Sequence, residues 1–484
     1  MGTGGDIPNL PERPDARDSP RIGHDEWVAT HEARTERENA IARTYNRVPP
    51  PARLALLALA TIPLPFFLST GDLYAFGFFT VLYALLGLGL NVTVGFAGLL
   101  DLGYVAFFGY GAYAYAILAS KHYDLHLQGE LAIPLIILGT GLVGLLLGLP
   151  SRRLLGDYLA IVTLFFGQAF VFFTGVTNYR GLTGGANGIP DVDPLNFFGL
   201  HIRSFRGYYW FTLGVFLLVL AALWSLLRSR TGRAWQALRE DPLAAELMGT
   251  PVNRLKLLAF AIGAGIAGLA GCIYAASAGS VASGTFDVPL LITIYAIVIL
   301  GGLGSLTGVV VGAIVITVSY EMLRPETPGL SRLLFYGTLL LVVLWRVRPW
   351  PRLVFVLGGT VVFGLAVHTI VGAISESATS GSAIEGGRLT GVIESFVVIP
   401  AHAGRWPDYA YVALIAAVLV LTRLHGWWRT AALPPTLYLA MFVWENLLMD
   451  QPSVTRLVVF GALLVVLMIV RPQGLLGTAR VEIV

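Results

Sequence analysis

The residues able to do chemistry in this chain are few, and most of the familiar arrangements are missing. Only two lysines occur in 484 residues, Lys121 between Ser and His and Lys256 between two leucines. A phosphate-gripping loop needs its Lys after Gly and before Ser or Thr. The chain therefore has no nucleotide-hydrolysing loop, and any ATP that drives it is bound by another polypeptide. The eight histidines (24, 31, 122, 126, 201, 368, 402 and 425) show no His-Glu-x-x-His spacing, and no Gly-x-Ser-x-Gly elbow occurs. His122 and His126 are four apart in a short outer loop and read as solvated loop residues. Nor is there a buried series of carboxylates and histidines of the kind that relays protons through membranes. Glu321, Glu445 and Asp450 fall near outer ends of apolar spans, where a charge can reach water. The single cysteine, Cys272, lies in an apolar segment, so it forms no internal disulfide and reads as a packing residue. No cofactor or metal is expected, and no enzymatic activity.

Two stretches remain. The first is Asn91-Val-Thr-Val-Gly95-Phe-Ala-Gly98-Leu-Leu-Asp101-Leu-Gly103, followed by Tyr104. It sets three glycines and a carboxylate at or near membrane depth. Glycine weakens a helix by about 1 kcal/mol against alanine, and an ionisable group in lipid is costly. Such backbone is tolerated where protein or a water-filled cavity surrounds it. One reading is a broken or re-entrant element beside a pathway. The other is a tightly packed glycine-rich helix interface with Asp101 at the membrane surface.

The second stretch runs over 228–256, a basic connection holding six Arg or Lys. Asp241 suits the N-cap of a helix, Pro242 its first position and Gly249 its C′ position, with Pro251 blocking continuation. The expected product is a two-turn helix carrying Leu243, Ala244, Ala245, Leu247 and Met248. Apolar residues on so short a cytoplasmic helix serve either to dock a partner or to lie on lipid.

The elements that must position these residues are membrane spans. Hydrophobic residues make up 56% of the chain and charged ones 13%, about half the charge of an ordinary soluble domain. The apolar residues come in blocks near twenty long, enough to cross a ~30 Å hydrocarbon core. About fourteen spans are expected: 52–69, 73–91, 104–120, 131–149, 157–177, 209–227, 257–278, 288–303, 305–323, 332–346, 353–373, 409–422, 431–447 and 456–470. The fold class is an all-α polytopic bundle. With a cytoplasmic N-terminus, the inward connections 1–53, 150–156, 228–256, 346–352, 423–430 and 471–484 carry 23 of the 32 Lys and Arg residues. That asymmetry places positive loops, and both termini, inside. The same alternation puts 92–103 and the turn at Gly304 inside without a basic residue in either, so the span assignment is weakest there. The net charge of +3 is too small to suggest nucleic acid. Three regions follow: a polar cytoplasmic tail over 1–50, a helical core over 51–349, and additional helices over 350–484 around an outer loop, 373–408. An echo joins Arg332-Leu-Leu-Phe-Tyr-Gly337 to Arg456-Leu-Val-Val-Phe-Gly461, each followed by an apolar run and Arg-Pro.

Ala244-Ala245-x-x-x-Gly249 resembles the E-A-A-x-x-x-G coupling loop of bacterial ABC-importer permeases, with Leu243 where that motif has Glu. More narrowly, the chain is similar to the LivM-type permeases of branched-chain amino acid importers. Six stretches carry the resemblance in order: 97–107, 156–163, 183–189, 241–260, 301–305 and 471–477. The tail and 350–455 have no counterpart in it. The resemblance implies a second, LivH-like permease subunit, two cytoplasmic ABC ATPases and an external substrate-binding protein, in a bacterial or archaeal cytoplasmic membrane. It implies transport of branched-chain or similar small amino acids, with a urea-type or short-chain-amide permease as the nearest alternative and an ion-coupled secondary transporter further off. It favours a pathway role for 91–103, with Asn91, Gly95, Asp101 and Tyr104 as pathway candidates, and ATPase docking for 241–249.

Overall fold

The first long helix, α1, runs unbroken over Thr70–Phe96. Its middle, Phe79–Leu90, is α-helical, while Leu73–Phe78 and Asn91–Phe96 are wound one residue wider as π-helix. In all, the computed structural model describes residues 61–322, part of 336–343, 350–448 and 474, apart from short gaps at 62, 68, 122, 124, 152–156, 177–179, 383–389, 402–403 and 425. The expected tail 1–50, most of the spans 52–69, 332–346 and 456–470, the loop centre 383–389, Asp450 and the closing run 471–477 except Gly474 lie outside the described residues.

After α1 come α2 (Tyr104–Leu118), α3 (Gly129–Ser151) and α4 (Asp157–Gly175). A two-residue antiparallel pair, β1 (Asn196–Phe197) with β2 (Leu200–His201), interrupts the otherwise helical order. Then follow α5 (Phe205–Arg228), α6 (Arg230–Glu240), α7 (Pro242–Leu247), α8 (Val252–Ala278), α9 (Val288–Gly301) and α10 (Leu306–Met322). Beyond them stand α11 (Trp350–Ile374), α12 (Trp406–Arg423) and α13 (Gly426–Val443). Among the described residues, seven helices are long and apolar enough to span a membrane, and three shorter apolar helices accompany them. The molecule is an all-α membrane bundle.

The bundle is centred on α8, because its small residues let other backbones come close. A Cβ added to Gly111 of α2 would lie 2.1 Å from the Gly268 carbonyl oxygen, and one on Gly271 would lie 2.1 Å from that of Phe108. Cys272 is fully buried in this helix as a free thiol. The outer surface is apolar instead: Leu131, Leu135, Leu138, Leu142, Leu145, Leu146 and Leu149 form an exposed stripe along α3. In water such a stripe would be unfavourable; against acyl chains it needs no cover. In the later helices, Val356 and Leu353 of α11 make one small core with Val343, and Ile393, Val397 and Ile399 make another.

The loop around 183–192 is tied into the bundle by its backbone. Ile189 and Val281 exchange N–H···O bonds of 2.9 and 3.0 Å, and Asp193 N–H donates to the Ala119 carbonyl at 2.7 Å. Tyr208 Oη donates to the Ala276 carbonyl (2.8 Å) and accepts from the Leu195 N–H (3.1 Å).

Three sequence expectations change. The irregular region begins at Ala97 rather than at 91, since the π register keeps the backbone bonded through the glycine: Ala97 N–H donates to the Val92 carbonyl at 3.1 Å. The connection 228–256 is mostly helical, because Trp235 and Leu238 give α6 a buried face. Glu321 and Glu445 are buried rather than solvated, and Tyr336 Oη donates to Glu445 Oε1 at 2.9 Å, a bond that offsets part of the cost of burying this carboxylate.

Candidate functional site

The non-helical stretch 97–103 is held in place from several helices. Leu102 N–H donates to Thr163 Oγ1 of α4 at 2.9 Å, while the Thr163 hydroxyl donates to the Ala160 carbonyl. Tyr295 Oη of α9 donates to the Asp101 carbonyl at 2.7 Å. Tyr104 Oη reaches across to the Leu86 carbonyl in α1 at 2.8 Å. That reach depends on Gly89, where a Cβ would lie 2.1 Å from the Tyr104 oxygen. Asp101 is fully buried; its Oδ1 accepts from the Gly103 N–H at 3.1 Å, and its Oδ2 has no hydrogen-bond partner among the described residues.

Asn91 forms a second polar point. It is fully buried, its Oδ1 accepts from the Gly304 N–H at 2.9 Å, and its Nδ2 has no partner among the described residues. Gly95 makes this contact possible, because a Cβ there would sit 1.8 Å from Asn91 Oδ1 and 2.7 Å from Gly304 N. Of the four pathway candidates, the structure therefore joins Asn91 with Gly95 at the Gly304 turn, and puts Asp101 and Tyr104 together at the start of α2. No hydrogen bond links the two pairs. Buried polar atoms without a partner are uncommon and costly; among the described residues Asn91 Nδ2 and Asp101 Oδ2 are two of nine such atoms.

The expected short helix forms as α7. Asp241 is in extended conformation and its Oδ1 accepts from the N–H groups of Leu243 (2.8 Å) and Ala244 (3.0 Å), with Pro242 at the first helical position. At the other end Gly249 adopts φ +82°, its N–H donates to the Glu246 carbonyl, and Thr250 N–H donates to the Ala245 carbonyl at 3.0 Å. Ala245 packs inward while Leu243, Leu247 and Met248 are 68%, 81% and 87% exposed. Among the described residues nothing covers those three side chains, whereas α6 beside them has a buried face: Trp235 is fully buried and its indole N–H donates to the Leu255 carbonyl at 3.0 Å.

The sequence reading missed Arg239. It lies in the last turn of α6, and its guanidinium donates to the Gly95 carbonyl in the last turn of α1. Gly98 and Gly304, at φ +69° and +80°, both close on this arginine; a Cβ on Gly304 would lie 2.3 Å from its Nη1. The contact puts 92–103 and the Gly304 turn on the same side of the bundle as the basic connection 228–256. The detectable signal was the spacing of Trp235, Leu238 and Arg239 on one short amphipathic helix. Gly474 also arrives here, for a Cβ on it would lie 2.6 Å from the Gly302 Cα. Among the described residues, no three His, Cys, Asp or Glu side chains converge as a metal site.

Comparisons with known proteins agree with this layout. Residues 74–344 match the model of the family described as branched-chain amino acid transport system / permease component. The chain is 39% identical over 319 residues to the high-affinity branched-chain amino acid transport system permease protein LivM of Salmonella typhimurium, covering 61% of this chain and 73% of the relative. A probable LivM of Methanocaldococcus jannaschii is 27% identical over 216 residues, 42% of this chain and 62% of that protein. The permease protein LivH of Salmonella typhimurium is 30% identical over 169 residues, 35% of this chain and 54% of that one. No solved structure matches the chain. Bundle, helix break and family match lead to one conclusion: the chain belongs to the branched-chain amino acid transport permease component family, as a multi-pass membrane transport subunit and not an enzyme.

Proposed function

We propose that this chain is one of two permease subunits of an ATP-driven importer for branched-chain or similar small amino acids, working in a bacterial or archaeal cytoplasmic membrane. The observation that carries the reading is α7: a short helix capped at both ends, with Leu243, Leu247 and Met248 exposed beside a helix whose apolar face is buried. A capped helix with an uncovered apolar side is suited to a groove on a partner. With no phosphate-binding loop in the chain, that partner is the ATPase. Asp241, Pro242, Leu243, Ala244, Ala245, Leu247, Met248 and Gly249 form the docking element. Two ATPases, a LivH-like sister permease and an external substrate-binding protein complete the assembly. The permease core is 51–349, the tail 1–50 and both termini are cytoplasmic, and 350–484 adds helices around an outer loop, 373–408.

In this reading, ATP-driven closure of the ATPases moves α7, and the bundle responds by exposing a central cavity to one side and then the other. Asn91, Gly95, Asp101 and Tyr104 border that route. The substrate undergoes no covalent change; the residues supply a polar lining in an otherwise apolar bundle. The substrate class is tested in cells lacking their own branched-chain uptake, given this chain with its cognate partners. Labelled leucine should accumulate, and excess isoleucine or valine should suppress it while urea does not. Suppression by urea or short amides alone would move the substrate to that class.

A further inference from the structure

We propose that Arg239 is a positioning residue that carries movement of the docking helix α7 into the helix break at 97–103. The proposal rests on the reading of α7 as the ATPase-docking element.

The argument begins with backbone groups. A helix leaves its last carbonyls without intrahelical donors, and α1 ends at Phe96 inside the protein. Arg239 supplies a charged donor to one of these, the Gly95 carbonyl. A cation at a helix C-terminus also meets the negative end of the helix dipole. Arg239 is therefore the C-terminal cap of the helix whose end becomes the break.

Its position in sequence gives the cap a mechanical meaning. Only Glu240 separates Arg239 from Asp241, the residue that caps α7. Behind it, Leu238 is buried and Trp235 is bonded to the Leu255 carbonyl, so α6 is anchored to the first turn of α8. A push on α7 thus reaches Arg239 across one residue, while α6 resists being pulled away as a whole. On the receiving side the fit leaves little slack. A Cβ on Gly98 would lie 3.2 Å from Arg239 Cγ, and one on Gly304 2.3 Å from its Nη1. Gly304 in turn donates to Asn91 Oδ1, and Gly95 lies against the same oxygen. A shift of the guanidinium must move the end of α1, the Gly304 turn and the Asn91 side chain together, because close-packed contacts transmit displacement rather than absorb it.

The test uses the full complex: this chain, its sister permease, the ATPases and the receptor in proteoliposomes. Two ratios are read, ATPase bound per permease and substrate imported per ATP hydrolysed. Arg239→Gln should keep its ATPases and hydrolyse ATP, with import per ATP falling about tenfold or more, the size expected for losing a charge-assisted bond. Arg239→Lys, which keeps the charge but not the fork, should fall between the two. A merely structural role would lower thermal stability and leave the import ratio of the surviving complexes unchanged. A wild-type import ratio in Arg239→Gln overturns the proposal. So does loss of the ATPases from it, because Arg239 would then hold α7 in place rather than transmit from it. If Arg239→Gln fails to accumulate, Arg239→Lys decides alone, and a wild-type ratio there overturns the proposal. Normal ATPase recovery and normal uptake in both Gly249→Val and Leu247→Asp would instead remove the docking reading itself, a separate outcome.

Discussion

Gly249→Val isolates the contribution of a single backbone angle to ATPase docking. Gly249 has φ +82°, and nothing lies within 4 Å of the position a Cβ would take. The cost of a side chain there is therefore conformational and not steric. Placing an L-residue in the left-handed region costs about 1–2 kcal/mol, and a β-branched residue is at the unfavourable end of that range. That lowers the population of the capped ending by about 5–30-fold. Two bonds depend on the ending, from Gly249 N–H to the Glu246 carbonyl and from Thr250 N–H to the Ala245 carbonyl. A helix of six residues has no reserve to compensate, since isolated helices shorter than about 12–15 residues are marginal. Leu247→Asp attacks the same element differently. Leu247 is 81% exposed, so the change costs the permease little, while a partner loses about 1.5–3 kcal/mol of buried leucine. Both variants should insert and pair with the sister permease at wild-type levels. Co-purified ATPase, normalised to permease in the membrane, should fall by about tenfold, and uptake should stop. Normal ATPase recovery together with normal uptake in both variants would refute the docking assignment and leave α7 as an interfacial helix.

Two further outcomes follow from the geometry. Gly95→Ala pushes a methyl to within 1.8 Å of Asn91 Oδ1 and 2.7 Å of Gly304 N. It should destabilise the detergent-purified chain by about 1–3 kcal/mol through the lost buried bond and reduce uptake. Gly214→Ala, with nothing within 4 Å, should leave thermal unfolding unchanged or slightly raise it. Equal behaviour of the two would refute the close approach at Asn91. With the loop 373–408 outside, a cysteine replacing the exposed Ser382 in a Cys272→Ala background should react with an impermeant thiol reagent in intact cells. Labelling only after permeabilisation would reverse the topology of the C-terminal third.

What could be read in the sequence depended on whether the signal was local. The caps of α7 were legible because Asp241, Pro242 and Gly249 each act within four residues of where they stand. Helix positions were legible because lipid imposes length and composition on each span independently. The π winding at 91–96 was not, since it is a shift of hydrogen-bond partner that leaves no mark on hydropathy. Thr163 and Tyr295 brace the 97–103 stretch from helices 61 and 194 residues further along, and such pairings are invisible to a local reading. Arg239 was hidden among six basic residues of one connection, where a positive-inside bias already explained it. Glu321 and Glu445 were placed in water because a charge near a helix end usually finds it; burial and, for Glu445, the Tyr336 hydroxyl decided otherwise.

The account's central claim is that this chain moves its substrate with energy supplied by separate ATPases docked on α7. It is tested most directly in proteoliposomes holding the chain, its sister permease, the ATPases and the receptor, loaded with ATP on the ATPase side and given labelled leucine on the other. Accumulation should require all components, should vanish when the phosphate-binding lysine of the ATPases is replaced, and should be indifferent to collapse of ion gradients. Concentrative uptake driven by a proton or sodium gradient in vesicles without the ATPases would contradict it.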